Sequence, residues 1–252
     1  MTSATGRLAR LSKTLRVLIF APSIALAAPG TPPEVNSAYP SAYALYVNLH
    51  QNPELSGQEV RTAAKIADRL RHLGYSVTEH VGGTGIVAVL HNGPGKTVML
   101  RTELDALPVQ EETGLPYASK VRARDPAGQD VPVGHMCGHD LHMSALVATA
   151  EIMAHSKSTW RGTLMLIGQP AEETLSGASA MIRSGLFTRF PRPNVVLALH
   201  VSNSLPAGEV GLRAGPVYTN ADSLRITIYG ENSDLRFYPL QDLIGYRFRS
   251  SK

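Results

Sequence analysis

The chain has 252 residues, of which 43% are hydrophobic and 17% are charged, and its formal net charge is +4. This composition excludes a disordered or fibrous protein, and the length suffices for one large core or two small domains. The excess positive charge lies in residues 7–16, so we expect no nucleic-acid partner for the rest of the chain.

Residues 1–28 are typical of a signal peptide, because a basic stretch is followed by an apolar run over residues 17–26 and then by small residues. We expect cleavage after Ala27 or Ala28 and export to the periplasm or outside the cell. An amphipathic helix is the alternative. Residues 29–42 are rich in Pro, Ser and Ala and predict a flexible lead-in. No later stretch is long and apolar enough to predict a membrane span.

The remaining elements follow from hydrophobic periodicity. Helical spacing predicts helices over residues 43–49, 57–73, 144–155 and 178–184. Apolar or alternating runs predict strands over residues 75–81, 86–91, 97–101, 163–167, 195–200, 209–212 and 224–229. Because helices alternate with fully apolar strands, the predicted fold class is α/β, with a largely parallel mixed sheet and helices on both faces.

The densest group of candidate metal ligands is the run HMCGHDLH over residues 135–142. It contains three imidazoles, one thiol and one carboxylate, and Cys and His are ligands that zinc and similar divalent metals prefer. Cys137 is the only cysteine, so it forms no intrachain disulfide. His139 and His142 would share one face of a helix. The run predicts a metal site, and a histidine-rich surface loop with an inert cysteine is the alternative.

Further candidates stand at the carboxyl ends of three predicted strands. They are Glu103 with Asp105, Glu172 with Glu173, and His200. In open parallel sheets ligands bind beyond those ends, so we expect these residues to meet the cysteine–histidine run at one edge. One glutamate of an adjacent pair can ligate a cation while the other serves as general base. An ordinary solvated loop is the alternative for the glutamate pair.

Four segments resemble signatures of the M20 metallopeptidase family, in its amidohydrolase branch of hippurate hydrolases and indoleacetyl-amino-acid hydrolases. They are LHQNPELSGQE, ELDALPVQEETGLPYAS, HMCGHDLH and GQPAEE with GASAMIRSGLF, and they occur in family order within residues 43–230. The resemblance implies a zinc-peptidase-like catalytic domain over residues 43–215 that holds two divalent metal ions (Zn, Mn, Co or Ni). It also implies that an inserted α+β dimerisation domain begins at residues 216–230, and therefore a homodimer.

The resemblance also implies residue roles and a substrate class. Metal ligands would be Cys137, His139, Glu173 and His200. Glu172 would be the general base, and Asp105 a supporting acid near the metals. Glu103 departs from the aspartate usual at its position, which adds one methylene and keeps the charge. The implied reaction is hydrolysis of an amide bond in N-acyl amino acids or small peptides.

Residues 231–252 depart from the family pattern and are interpreted as a divergent tail. A late histidine ligand of the family has no counterpart in this chain, so a truncated, inactive remnant is the alternative function.

A phosphate-binding loop at Gly95-Lys96-Thr97 is excluded, because Leu90 stands where such a loop needs glycine. No Gly-x-Ser-x-Gly motif of a serine hydrolase occurs. Cys137 fits a metal ligand better than a nucleophile.

Overall fold

The computed structural model describes residues 32–212 and 214–216. The elements in chain order are α1 (Pro33–Gln51), α2 (Val60–His72), β1 (Ser76–Thr78), β2 (Ile86–Asn92), β3 (Thr97–Glu103), β4 (Arg122–Arg124), β5 (Asp130–Pro132), α3 (His139–His155), β6 (Gly162–Gln169), α4 (Gly177–Arg183) and β7 (Val195–Ala198). A short 3-10 turn at Lys157–Thr159 joins α3 to β6.

Helix α1 begins earlier than the sequence predicts. The lead-in over residues 29–42 was expected to be flexible, but the chain is helical from Pro33 onward. A proline suits the first turn of a helix, where its missing N–H has no partner to lose. The buried Ala38, Leu45 and Leu49 recur at helical spacing and pack the helix on the core. The high Pro and Ser content concealed this spacing.

The main sheet has five strands in the order β1-β2-β6-β3-β7. The pairs β1–β2 and β2–β6 are antiparallel, whereas β6–β3 and β3–β7 are parallel. The prediction of a mixed α/β sheet is confirmed, with parallel pairing confined to β6, β3 and β7. The carboxyl ends of these three strands therefore lie at one edge of the sheet. The strands β4 and β5 form a separate antiparallel pair.

Helices cover both faces of the sheet, as predicted. Alternate side chains of β2 point to opposite faces, as a pleated strand requires. Ile86, Ala88 and Leu90 join a core cluster with buried residues of α1, α2 and α3. Val87 and Val89 join a second cluster that includes Met181 of α4.

Helix α4 approaches the backbone of the loop before β2 very closely. A Cβ atom on Gly82 would lie 2.4 Å from the backbone nitrogen of Met181, and Gly82 has a positive φ of 76°. Only glycine meets both conditions without strain. Glycine at residue 82 therefore permits α4 to pack against the backbone of this loop.

Strand β7 is one of the two edge strands of the described sheet, opposite β1, and all four of its residues are exposed. The chain divides after Ser202 into two compact units, and the described part of the second contains no helix or strand. The strand predicted over residues 209–212 is therefore wrong.

Several predictions fall largely or wholly on residues that the structure does not describe. They concern the signal peptide 1–28, the strand over 224–229, the inserted domain from 216–230 and the tail 231–252. Within the described part of the chain, no helix has both the length and the apolar character needed to cross a membrane.

Candidate metal centre

The cysteine–histidine run forms the start of helix α3. The helix begins at His139, five residues before the predicted start, and Gly138 precedes it with a left-handed φ of 83°. A Cβ on Gly138 would lie 2.5 Å from a methyl carbon of Val201, so this turn requires glycine. Asp140 lies in the first turn, where a negative charge is favourable. This turn places Cys137 and His139 at the same edge as the carboxyl ends of the parallel strands.

One ring nitrogen of His139 is engaged and the other is free. Nδ1 donates to the backbone oxygen of Asp105 at 2.8 Å. Nε2 is buried without a hydrogen-bond partner among the described residues, and it lies 3.7 Å from Oε2 of Glu172 and 3.8 Å from Oε1 of Glu173. Ligating histidines characteristically donate their second N–H to a carbonyl or carboxylate. The ring is thus fixed in the tautomer that offers Nε2 to a cation.

The glutamate pair follows β6 in a tight loop. The backbone N–H of Glu173 donates to Oδ2 of Asp105 at 3.0 Å, which turns the side chain toward His139. Oε1 of Glu173 is buried and has no hydrogen-bond partner in the described part of the chain. Burial raises the pKa of Glu173, with His139 acting in the opposite direction. A buried carboxylate oxygen facing a free imidazole nitrogen fits a divalent cation between them.

Cys137 and His200 form the second part of the site. Sγ of Cys137 lies 3.3 Å from Nε2 of His200, and Nδ1 of His200 donates to the backbone oxygen of Val201 at 2.7 Å. Burial and the nearby Glu173 carboxylate raise the pKa of Cys137 to about 12. The thiol is therefore protonated in the absence of a cation, and a bound metal would displace that proton.

The predicted residues thus gather into two adjacent groups that share His139. Ligand atoms within 4.8 Å of one another come from Cys137, His139 and His200 in one group, and from His139, Glu172 and Glu173 in the other. Thiolate, imidazole and carboxylate are the donors that zinc accepts. The unpartnered atoms and the donor set both fit divalent metal.

A third group of His139, Glu103 and His142 is geometrically close, but its His142 ring is fully used. Nδ1 of His142 donates to Oε2 of Glu103 at 3.0 Å, and Nε2 accepts from the backbone N–H of Val201 at 2.9 Å. Glu103 also forms an ion pair with Arg101. These residues support the site, a role that the sequence analysis missed; the spacing of His142 from His139 was the available signal.

Asp105 lies at the centre of the supporting contacts and is fully buried. Ser56 Oγ donates to its Oδ2 at 2.6 Å, beside the N–H of Glu173. Burial alone would raise the pKa of Asp105, but the His139 ring, whose Nδ1 lies 3.5 Å from Oδ1, and the hydrogen bonds from Ser56 and the Glu173 N–H outweigh burial, and the pKa is lowered. Asp105 is therefore ionised. Nothing in the sequence analysis singled out Ser56.

Two other histidines near α3 lie outside the ligand groups. His50 bridges Oδ2 of Asp140 at 2.6 Å and Oε1 of Glu111 at 3.0 Å. Burial would lower the pKa of His50, but its bonds to Glu111 and Asp140 outweigh burial and the pKa is raised. His135, part of the predicted run, is buried with both ring nitrogens unpartnered among described residues, and burial lowers its pKa to about 4.

The family model of peptidase family M20/M25/M40 matches residues 99–247. Thermostable carboxypeptidase 2 of Saccharolobus solfataricus is 38% identical over 187 residues, covering 73% of this chain and 44% of that protein. Hippurate hydrolase of Campylobacter jejuni is 40% identical over 186 residues, covering 72% of this chain and 45% of that protein.

The fold of the chain is also similar to that of a solved structure. The Bacillus subtilis YXEP protein, described as a dinuclear metal binding peptidase from the M20 family, matches with a TM-score of 0.64 and 31% identity. The match covers 72% of this chain and 48% of that one. The chain thus spans less than half the length of these relatives.

The family match continues past Gly230 and covers most of the segment interpreted as a divergent tail, so that interpretation stays a prediction. The resemblance drawn from the four motifs is confirmed, and the chain belongs to peptidase family M20/M25/M40.

Proposed function

We propose that this chain carries the catalytic site of a metal-dependent hydrolase of amide bonds in N-acyl amino acids or small peptides. The observation that carries the proposal is the pair of ligand groups that share His139, with two adjacent glutamates at the same edge. Relatives named as a hippurate hydrolase and a carboxypeptidase support the same reaction class.

Two divalent ions would be held by Cys137, His139, Glu173 and His200. The thiol favours zinc, cobalt or nickel, and the carboxylate also accepts manganese. Such ions supply a Lewis acid for a substrate carbonyl and make water a stronger acid. Asp105 keeps His139 in its ligating tautomer, and through the Glu173 N–H it fixes the neighbouring carboxylate.

Glu172 is the general base of the proposed mechanism. Its side chain is 31% exposed and that of Glu173 is 20% exposed, so Glu172 is the more accessible to water and substrate. Glu172 would accept a proton from the attacking water and deliver it to the departing amine. The more buried Glu173, with its unpartnered oxygen, is the better placed of the two for coordination.

Export and homodimer formation are part of the proposal and rest on the sequence pattern and the resemblance. Helix α1 begins at Pro33, so cleavage after Ala27 or Ala28 would leave every described element intact. The mass of the protein recovered from an expressing cell tests the cleavage. Light scattering of the purified protein tests the dimer.

The central test is metal content. Purified protein dialysed against zinc should retain it, and Cys137→Ala and His139→Ala should each reduce the amount retained. His155→Ala is the matched control, because His155 is exposed in the last turn of the same helix. Wild-type retention in both site variants would exclude the proposed ligands. A panel of N-acyl amino acids with added zinc, manganese or cobalt then tests hydrolysis.

A second candidate function is a metal-binding remnant without activity. The exposure of all four residues of strand β7, which ends two residues before His200, is the observation that favours it. Zinc retention without turnover on the substrate panel would select this candidate.

A further inference from the structure

The segment LHQNPELSGQE, residues 49–59, joins α1 to α2 and is tied to the candidate site. Its Ser56 bonds Asp105, as described above, and its backbone oxygen at Glu54 accepts from the N–H of Ala106 at 2.8 Å. The last residue of the segment, Glu59, is completely buried. A buried carboxylate is costly unless hydrogen bonds satisfy it, so its partners indicate its role.

Three donors satisfy the Glu59 carboxylate. Oε1 accepts from the backbone N–H of Gly57 at 2.7 Å and from that of Ala171 at 2.8 Å. Oε2 accepts from the hydroxyl of Thr84 at 2.5 Å. The contact with Ala171 reaches across 112 residues of sequence, to the loop between β6 and α4.

Ala171 is the residue directly before the Glu172–Glu173 pair, and its backbone is left-handed, with φ of 46°. This conformation costs a non-glycine residue about 1–2 kcal/mol, so surrounding contacts must maintain it. The Ala171 carbonyl accepts from the N–H of Gly177 at 3.2 Å, which fixes one side of the residue. Glu59 fixes the other side through the N–H.

The two glutamates of the site are therefore held between two buried carboxylates. Glu59 binds the N–H of residue 171, and Asp105 binds the N–H of residue 173. A shift at either N–H would rotate the loop and move both glutamate side chains relative to His139.

We propose that Glu59 is a positioning residue for the metal site: its carboxylate maintains the Ala171 backbone that directs Glu172 and Glu173 toward His139. The metal role of the loop rests on the proposed function, whereas the contact itself does not. Glu59 acts through the backbone of Ala171, so it is distinct from the ligands and from the base.

The test uses the full chain with three substitutions at Glu59. Glu59→Ala removes the acceptor, and Glu59→Asp withdraws it by about 1.5 Å while keeping the charge. Glu59→Gln retains Oε1 for both N–H groups, and the Thr84 hydroxyl can turn to accept from the new amide. The matched control is Glu54→Ala, since Glu54 is a buried carboxylate of the same segment that bonds Arg61 and the N–H of Thr62.

Hydrogen exchange of the amides at residues 171–173 is the first measurement. Exchange should accelerate about tenfold or more in Glu59→Ala and in Glu59→Asp, and stay near the wild-type rate in Glu59→Gln and Glu54→Ala. If Glu59→Ala does not fold, Glu59→Asp decides the result. Unchanged exchange in a folded Glu59→Asp, or equal acceleration in Glu54→Ala, would overturn the proposal.

Zinc affinity is the second measurement. Loss of an outer supporting contact typically weakens metal binding about 10–100-fold, which is the expected change for Glu59→Ala, with recovery in Glu59→Gln. Unchanged affinity despite faster exchange would also overturn the proposal. If the wild-type chain binds no zinc, the proposed function fails separately, and the exchange rates still decide whether Glu59 holds the loop.

Discussion

Nε2 of His142 accepts a hydrogen bond from the backbone N–H of Val201, the residue after His200, at 2.9 Å. Because Nδ1 of the same ring donates to Glu103, the imidazole connects α3, the end of β3 and the segment that follows β7. His142 thus links the His200 ligand to the core without contributing an atom to a cation.

The first prediction concerns this link. His142→Ala should weaken zinc binding about 10–100-fold, because the His200 segment loses its attachment to α3. Equilibrium dialysis of the folded variant measures the change, and His155→Ala on the same helix is the control. Zinc affinity equal to that of the wild type would show that the Val201 contact has no influence on His200.

The second prediction separates the two adjacent glutamates. In a catalytically active form, Glu172→Gln should lower kcat about 10²–10⁴-fold with metal retained, because proton transfer requires the carboxylate. Glu173→Gln should reduce metal retention, since it removes a charged ligand. Metal analysis and turnover are measured on the same samples. The opposite pattern would exchange the two roles.

The third prediction concerns pH and His50. Its pKa is raised in the folded protein, so its bonds to Asp140 and Glu111 stabilise the fold fully below the unfolded pKa near 6.5. That contribution is lost as pH rises through the folded pKa. The unfolding free energy of the wild type should therefore exceed that of His50→Gln most at about pH 5.5 and least at about pH 8.5. Urea titrations of both proteins test this. A difference that grows with pH would contradict it.

The fourth prediction compares two neighbouring glycines of positive φ. Gly83→Ala should cost about 1–2 kcal/mol, because only the backbone conformation is unfavourable and no atom lies within 4 Å of the new Cβ. Gly82→Ala should cost about 1–3 kcal/mol more, since its Cβ would overlap the backbone of Met181. Chemical denaturation measures both. Equal costs would mean that α4 moves aside freely.

The sequence predicted well those helices and strands in which the apolar residues form an uninterrupted pattern. The bounds of β2 and β6 lie within two residues of those expected, because each strand buries nearly every side chain. The starts of α1 and α3 were placed too late, since proline in one case and polar motif residues in the other interrupt the apolar pattern.

For the candidate site, too, some residues could be predicted from the sequence and others could not. Motif resemblance and strand ends named the residues that the structure brings together around His139. The contacts of Ser56 with Asp105, Glu59 with Ala171 and His142 with Val201 could not be predicted, because each joins residues at least 49 positions apart in the chain. Such contacts depend on the three-dimensional path of the chain, and no local spacing encodes them.

Because β7 is exposed, hydrogen exchange of its amides can report whether a metal ion is bound at the neighbouring site. Among the described strands, β7 pairs only with β3, so its amides should open to solvent more readily than those of the central strands. A cation that binds only the closed form would oppose this opening by an amount that grows with the logarithm of its concentration. The exchange rates of the β7 amides, measured at a series of metal concentrations, would then give the affinity of the ion bound at His200 without any substrate.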